Sequence, residues 1–282
     1  MTGFADLLPI AHQAVDLASN VMRTMQPGAL TAKGDRDMAS EVDYAIEAQV
    51  RAFLAEHTPH IGFLGEENGV TGDTDDLLWA LDPVDGTVNF IHGSPLCAIS
   101  LGLITEKRSV LGVIDLPFLG ERYAAAEGSG AHLNGTIIQA STTDRLREAV
   151  VAIGDYAVGT GASEKNQTRL TLTKRLADNV QRLRMHGSAA IDLVWLAAGK
   201  VDVMVMLSNN PWDTSAGVII AREAGAMTVD HDGTPHNLES SATIAASPAL
   251  LNPILDLVRD IISTTSSYED LGTLKKIPTD LQ

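Results

Sequence analysis

The chain is poor in cysteine, in positive charge and in long apolar runs, and each shortage removes a class of protein. Cys97 is the only cysteine, so neither a disulfide framework nor a thiolate zinc site can form. Twenty Lys and Arg stand against 36 Asp and Glu, a formal net charge of −16. No basic face is expected on that background, which argues against nucleic acid as a partner. No apolar run approaches the length that spans a bilayer, so no membrane is expected as a partner. The N-terminus carries Asp6 and no basic n-region, unlike a secretory signal. A soluble cytoplasmic protein is the expectation. Catalytic motifs are missing too. The eight histidines are scattered without an H-E-x-x-H pair, and there is no G-x-S-x-G elbow and no G-x-x-x-x-G-K-[ST] loop. Nor is there an internal repeat or a low-complexity tract.

What is present reads as an ordinary globular chain, 45% hydrophobic and 20% charged. Its 282 residues allow one large domain or two subdomains. Phe4 to Met25 has apolar residues at helical spacing, and Pro27-Gly28 ends that helix. Thr31 to Met38 is polar and reads as a loop. A second helix begins near Ser40 and closes at Thr58-Pro59. Strands are expected at Ile61–Leu64, Leu77–Leu81, Ala98–Ile104, Val110–Leu116 and Arg122–Ala126, with a hairpin turn at Asn134-Gly135. From Val150 the chain alternates strand and helix to about Ile262. The expected organisation is an α+β half over 1–145, an α/β half over 146–263 and a polar tail over 264–282.

The informative stretch is Trp79-Ala80-Leu81-Asp82-Pro83-Val84-Asp85-Gly86-Thr87. Its apolar run reads as a buried strand that ends at Asp82, because Pro83 cannot donate a ladder hydrogen bond. Asp82 and Asp85 then converge at a strand end, before a helical turn whose free N–H groups favour an anion. Two carboxylates beside an anion-binding backbone make sense with cations between them and a phosphate. Taken alone, the string serves equally well as a helix cap and a first-turn acid.

Other residues add to the pattern. Gly65-Glu66-Glu67 ends a neighbouring strand, so Glu66 could share hard cations with Asp82, while Glu67 reads equally as a solvated loop acid. Asp213, in Pro211-Trp212-Asp213-Thr214, suits a helix N-cap, yet a capping carboxylate can turn its free oxygen to a metal. Asp43, in Ser40-Glu41-Val42-Asp43, fits a loose capping box. Gly187-Ser188 opens another helix, and Arg184 just before it is the best-placed cation for a phosphate or polyol. Asp35-Arg36-Asp37 resembles a haloacid-dehalogenase nucleophile, but Ala29 to Gly34 is no buried strand and that reading fails.

Assembled in order, Gly65-Glu66-Glu67, Leu81 to Phe90 and Pro211 to Gly217 closely resemble the three signatures of the inositol monophosphatase family. The resemblance runs from the first helix to about Ile262. It implies an α/β fold, a layered α-β-α-β-α sandwich of the inositol monophosphatase/fructose-1,6-bisphosphatase type. It also implies Mg²⁺-dependent (two or three ions), often Li⁺-sensitive hydrolysis of a small phosphorylated polyol, often by a homodimer. By similarity Glu66, Asp82, Asp85, Asp213 and the Val84 carbonyl hold the metals. Asp43 and Thr87, with Glu66, serve catalysis by orienting and deprotonating water. Gly86 and Thr87 cradle the phosphate, while Arg184, Gly187, Ser188, Ala189 and Asp213 flank the alcohol. Met206 departs from the pattern, since many relatives acting on inositol phosphate carry a ring-binding Glu there, and a thioether accepts hydroxyl hydrogen bonds poorly. Substrate identity is therefore open between inositol monophosphate and alternatives such as histidinol phosphate.

Overall fold

The computed structural model describes residues 3–73 and 76–264. A 3-10 turn at Phe4–Leu7 enters α1 (Leu8–Thr24), which buries Ala11, Val15, Ala18 and Met22 along one face. A hairpin of β1 (Leu30–Gly34) and β2 (Asp37–Ser40) follows, where the sequence reading expected a loop. Its strands are short, and strand signals rest on buried apolar alternation, which β1, exposed along its whole length, lacks. Helix α2 (Glu41–His57) buries Val42, Ile46, Val50 and Leu54. Then come β3 (Gly62–Gly65), β4 (Gly69–Thr71) and β5 (Leu77–Asp85). The short helix α3 (Thr87–Ile91) precedes β6 (Ala98–Thr105), β7 (Arg108–Leu116), β8 (Glu121–Ala126), β9 (Ala131–Leu133) and β10 (Thr136–Ile137). Asn134 and Gly135 join the last two with φ of 49° and 79°, the left-handed pair that a tight hairpin needs.

The remaining elements are β11 (Val150–Ile153), α4 (Ala162–Asn179), β12 (Arg182–Arg184), α5 (Ala189–Ala197), β13 (Val203–Met206), α6 (Pro211–Glu223), β14 (Met227–Val229), β15 (Thr243–Ala246) and α7 (Pro248–Thr264). The expected tail, beyond Thr264, lies outside the described residues. An eight-stranded sheet runs β10-β9-β8-β7-β6-β5-β3-β4 and a five-stranded sheet runs β12-β11-β13-β15-β14. The larger sheet is antiparallel except where β3 lies parallel to β5. In the smaller one β11 is parallel to both β12 and β13.

Five layers result. Helices α1 and α2 cover one face of the larger sheet, α5 and α6 lie between the sheets, and α4 and α7 cover the far face of the smaller one. Each seam has its own buried apolar cluster, such as Val15, Ile46, Trp79 and Leu101 in the first and Val203, Ile244, Leu250 and Ile254 in the last. The central helices sit close because glycines admit them. A Cβ on Gly112 would stand 2.4 Å from the Ala216 carbonyl oxygen, and one on Gly102 would stand 2.2 Å from Ser215 Oγ. Helix α6 is thereby pressed flat on β6 and β7, which sets the depth of Asp213.

Candidate active site

Strand β5 does not stop at Pro83. Asp82 pairs with Ser100 and Asp85 with Ala98, so two residues of β5 face one of β6 in a bulge. The bulge absorbs the N–H that proline lacks and aims both aspartates to one end of the strand. Val84 N–H donates to Asp82 Oδ1 at 2.9 Å, and the Val84 carbonyl accepts from Thr87 Oγ1 at 3.0 Å. Gly86 caps α3 with φ of 87°. A side chain there would meet the carbonyls of Leu96 and Gly187 at 2.9 and 3.1 Å, so only glycine fits this crossing.

Glu66 arrives from the adjacent strand, where Gly65 of β3 pairs with Leu81 of β5. The turn carrying it is held by Glu47 of α2, a buried carboxylate that sequence reasoning missed. Glu47 accepts from the backbone N–H of Glu67 and Asn68 at 2.8 and 3.1 Å, and from Arg51 at 2.5 Å. Its only sequence signal is an acid on a helix face otherwise read as core. Lys33 of β1 was also missed, because its exposed strand carries no buried apolar alternation. Its Nζ lies 2.6 Å from Glu66 Oε1 and 3.0 Å from Glu67 Oε1. Burial opposes that ammonium's charge, but the two glutamates outweigh it and raise its pKa. Glu67 is no solvated acid: its side chain is fully buried, and burial pushes its pKa up to about 7.

Asp213 was expected to cap its helix, but the cap position belongs to Asn210. Asp213 lies in the first turn, its Oδ2 accepting from Asn210 Nδ2 at 3.0 Å. Pro211 opens the helix, as proline prefers, and so moves the cap one residue upstream of the proline.

Asp85 ties the site to α5. Its Oδ2 accepts from Ser188 Oγ at 2.7 Å and from Ala190 N–H at 2.5 Å, while Ala189 N–H reaches Oδ1 at 3.3 Å. Asn89, another missed residue, donates to the carbonyls of Leu96 and His186 at 2.8 and 2.7 Å and holds Gly187 against Gly86. Arg184 is not drawn in. It is exposed, and its Nη1 donates to the Leu183 carbonyl. Met206 presents no thioether wall either, being 8% exposed with Gly154 packed against its Cγ.

Asp43 is buried in α2. Its Oδ2 accepts from Ser40 N–H at 2.9 Å and Ser40 Oγ at 2.5 Å, completing the capping box, and its Oδ1 faces Thr87 Oγ1 at 3.4 Å. The capping box is thus formed, and the second carboxylate oxygen is left facing Thr87.

Electrostatics set the acidic group apart. Burial first, then Glu66, Asp85 and Asp213, push Asp82 well above the ordinary carboxylate range. Asp213 is raised by burial and by Glu66 and Asp85, and Asp85 by burial to about 7 against its hydrogen bonds to Ser188 and Ala190. Among the described residues no three His, Cys, Asp or Glu side chains are drawn to the spacing of a closed metal cage. The donor chemistry nonetheless fits a hard divalent cation. The donors are all oxygens, they repel one another, and Lys33 already neutralises one of them.

The sequence pattern of the inositol monophosphatase family matches residues 6–263. The chain belongs to the inositol monophosphatase family. It is therefore a phosphoric monoester hydrolase. Inositol-1-monophosphatase ImpA of Mycolicibacterium smegmatis is 35% identical over 80% of this chain and 82% of its own. The fructose-1,6-bisphosphatase/inositol-1-monophosphatase of Thermotoga maritima is 34% identical over 81% and 85%. The solved structure of Thermotoga maritima IMPase TM1415 superposes with a TM-score of 0.83 at 30% identity, covering 92% of this chain and 98% of that one. Within the inositol monophosphatase family, then, relatives of similar identity carry different substrates in their names.

Proposed function

We propose that the protein hydrolyses a small phosphorylated polyol, inositol monophosphate first, using two or three Mg²⁺ ions. The observation that carries this reading is the gathering of Glu66 after β3, Asp82 and Asp85 on β5 and Asp213 on α6, with Glu66 raising the pKa of all three aspartates. Such mutual repulsion is costly unless cations offset it. Glu66, Asp82, the Val84 carbonyl, Asp85 and Asp213 would hold the ions. Bound there, such ions would offset the phosphate charge and lower the pKa of water toward neutrality.

The chain's own residues supply the rest. Asp43 Oδ1 faces the Thr87 hydroxyl, so a proton leaving the attacking water can pass to Thr87 Oγ1 while Asp43 accepts that hydroxyl's hydrogen. Cys97 is unsuited to covalent attack on phosphorus: it is buried, and burial with Asp85 pushes its thiol up to about 12. Gly86 and Thr87 flank the phosphate, and Gly187, Ser188 and Ala189 flank the alcohol. We further assign a soluble, cytoplasmic homodimer, Li⁺-sensitive like its family. Among the described residues no helix is long and apolar enough to cross a membrane.

Phosphate release from a panel of phosphomonoesters, with Mg²⁺ and with chelator, tests this. Turnover that needs the cation and is highest for inositol monophosphates is expected. Full turnover after exhaustive chelation would overturn the metal assignment.

A further inference from the structure

Helix α2 reaches the site through two acids. Asp43 faces Thr87, and Glu47 stands four residues on, one helical turn away on the same side. Glu47 is fully buried, and four donors converge on it. Its Oε2 accepts from Glu67 N–H at 2.8 Å. Its Oε1 accepts from Asn68 N–H at 3.1 Å, from Asn68 Nδ2 at 2.9 Å and from Arg51 Nη2 at 2.5 Å. Bonds of this kind, with one partner ionised, are the strong ones.

The residue held this way is the neighbour of Glu66. Glu66 N–H bonds the Leu81 carbonyl of β5 at 3.2 Å. The peptide N–H groups of residues 66, 67 and 68 are therefore all fixed, the first from β5 and the next two from α2. Arg51 extends the hold along the turn, to the Gly69 carbonyl at 3.3 Å and to Thr71 Oγ1 at 3.1 Å. Gly65 allows the close approach. A Cβ there would stand 2.3 Å from the Glu47 carboxyl carbon, so a larger residue would push the carboxylate off its donors.

We propose that Glu47 is a positioning residue for the reaction: by fixing the 66–68 turn against α2, it sets where the Glu66 carboxylate meets a divalent cation. Because Asp43 rides on the same helix, the same contact sets the spacing between Glu66 and the Asp43–Thr87 pair. This rests on the metal assignment above and deepens it, since one ion then depends on a carboxylate outside its own ligand set. Groups that orient a metal ligand typically matter about tenfold to a hundredfold in affinity.

The test is a calorimetric Mg²⁺ titration of the substrate-free protein, alongside the Mg²⁺ dependence of phosphate release. Glu47→Gln keeps the size of the side chain but sets an amide N–H₂ against a peptide N–H of the turn. It should weaken one ion by about tenfold or more and raise the Mg²⁺ needed for half-maximal turnover to match, with kcat at saturating Mg²⁺ largely kept. Gly65→Ala, which reaches the same carboxylate from β3, should reproduce that shift. Asn68→Ala removes one of the four donors from an exposed residue and should give a smaller shift in the same direction, so it decides if the other two fail to fold. Leu54→Ala, buried two turns further along α2, should lower the melting temperature without moving Mg²⁺ affinity. Wild-type affinity in the folded Glu47, Gly65 and Asn68 variants, or an equal loss in Leu54→Ala, would overturn the positioning role and leave the metal assignment standing. A wild-type protein that binds no Mg²⁺ would overturn both.

Discussion

Asp43 caps α2 and, in the proposed mechanism, also accepts a proton through Thr87, and the two roles can be separated. Oδ2 caps α2 through Ser40, while Oδ1 faces Thr87. An amide at this position keeps one acceptor oxygen for the cap but loses the base. Asp43→Asn should lower kcat by about 10²-fold or more, with little change in the melting temperature. Ser40→Ala should do the opposite, costing about 0.5–2 kcal/mol of stability while leaving turnover largely in place. If Asp43→Asn loses only stability, the residue is a cap alone. The acids beside it make a second, titratable prediction. Burial and mutual repulsion raise Asp82, Asp85 and Asp213 in the folded protein, Asp85 to about 7. The folded state then binds more protons than the unfolded state between about pH 4 and 7, so stability falls as pH rises through that window. In chelator, the urea midpoint should drop from pH 5 to pH 8, and a divalent cation should flatten the drop. A midpoint that rises with pH in chelator would sink the picture of mutually repelling acids.

At the scale of elements, the position of Asp213 depends on how closely α6 approaches the sheet. A Cβ on Gly112 would run into Ala216, three residues along that helix from Asp213. Gly112→Ala should cost about 1–3 kcal/mol through overpacking. It should also weaken catalysis by more than the lost stability explains, since a misplacement near 1 Å can cost about 10²-fold. Wild-type kcat in a destabilised Gly112→Ala protein would show that the helix position is not critical. Helices with apolar periodicity, such as α1, and the buried strands from β5 to β8 were legible because burial writes a pattern into the sequence. Asp82, Asp85 and Glu66 were legible because they sit where those patterns break off. Lys33 was not, since β1, the strand carrying it, is exposed along its whole length. Glu47 was not, because a buried acid on a helix looks like any acid until the turn it holds is seen. The continuation of β5 past Pro83 was hidden for another reason: a bulge depends on the pairing partner β6, and local sequence does not reveal a partner.

At the scale of the molecule, the charge of −16 bears on assembly. Two copies approach against repulsion, so any seam between them must be apolar and locally free of acid. Exposed apolar side chains around α3 offer one candidate among the described residues. Val88, Phe118 and Met185 are 57%, 45% and 42% exposed. They are neighbours around α3, where Phe90 stacks on Phe118 at 6.3 Å and Asn89 bonds the His186 carbonyl. Exposed large side chains grouped in this way mark contact surfaces, and a stable seam needs about 800 Å² from each partner. The proposed homodimer should therefore form through this face. Phe118→Asp is the better probe, because Val88 follows Thr87 and its replacement would disturb the site directly. Light scattering should give the wild-type protein twice its chain mass of 29.9 kDa, and Phe118→Asp a single chain mass at the same concentration. Screening shortens the reach of like charge to about 8 Å at 0.15 M salt, so the wild-type dimer should tighten as salt is raised from low ionic strength. A Phe118→Asp protein that remains dimeric would move the seam elsewhere, and a dimer loosened by salt would mean that ion pairs, not this apolar face, hold the two copies together.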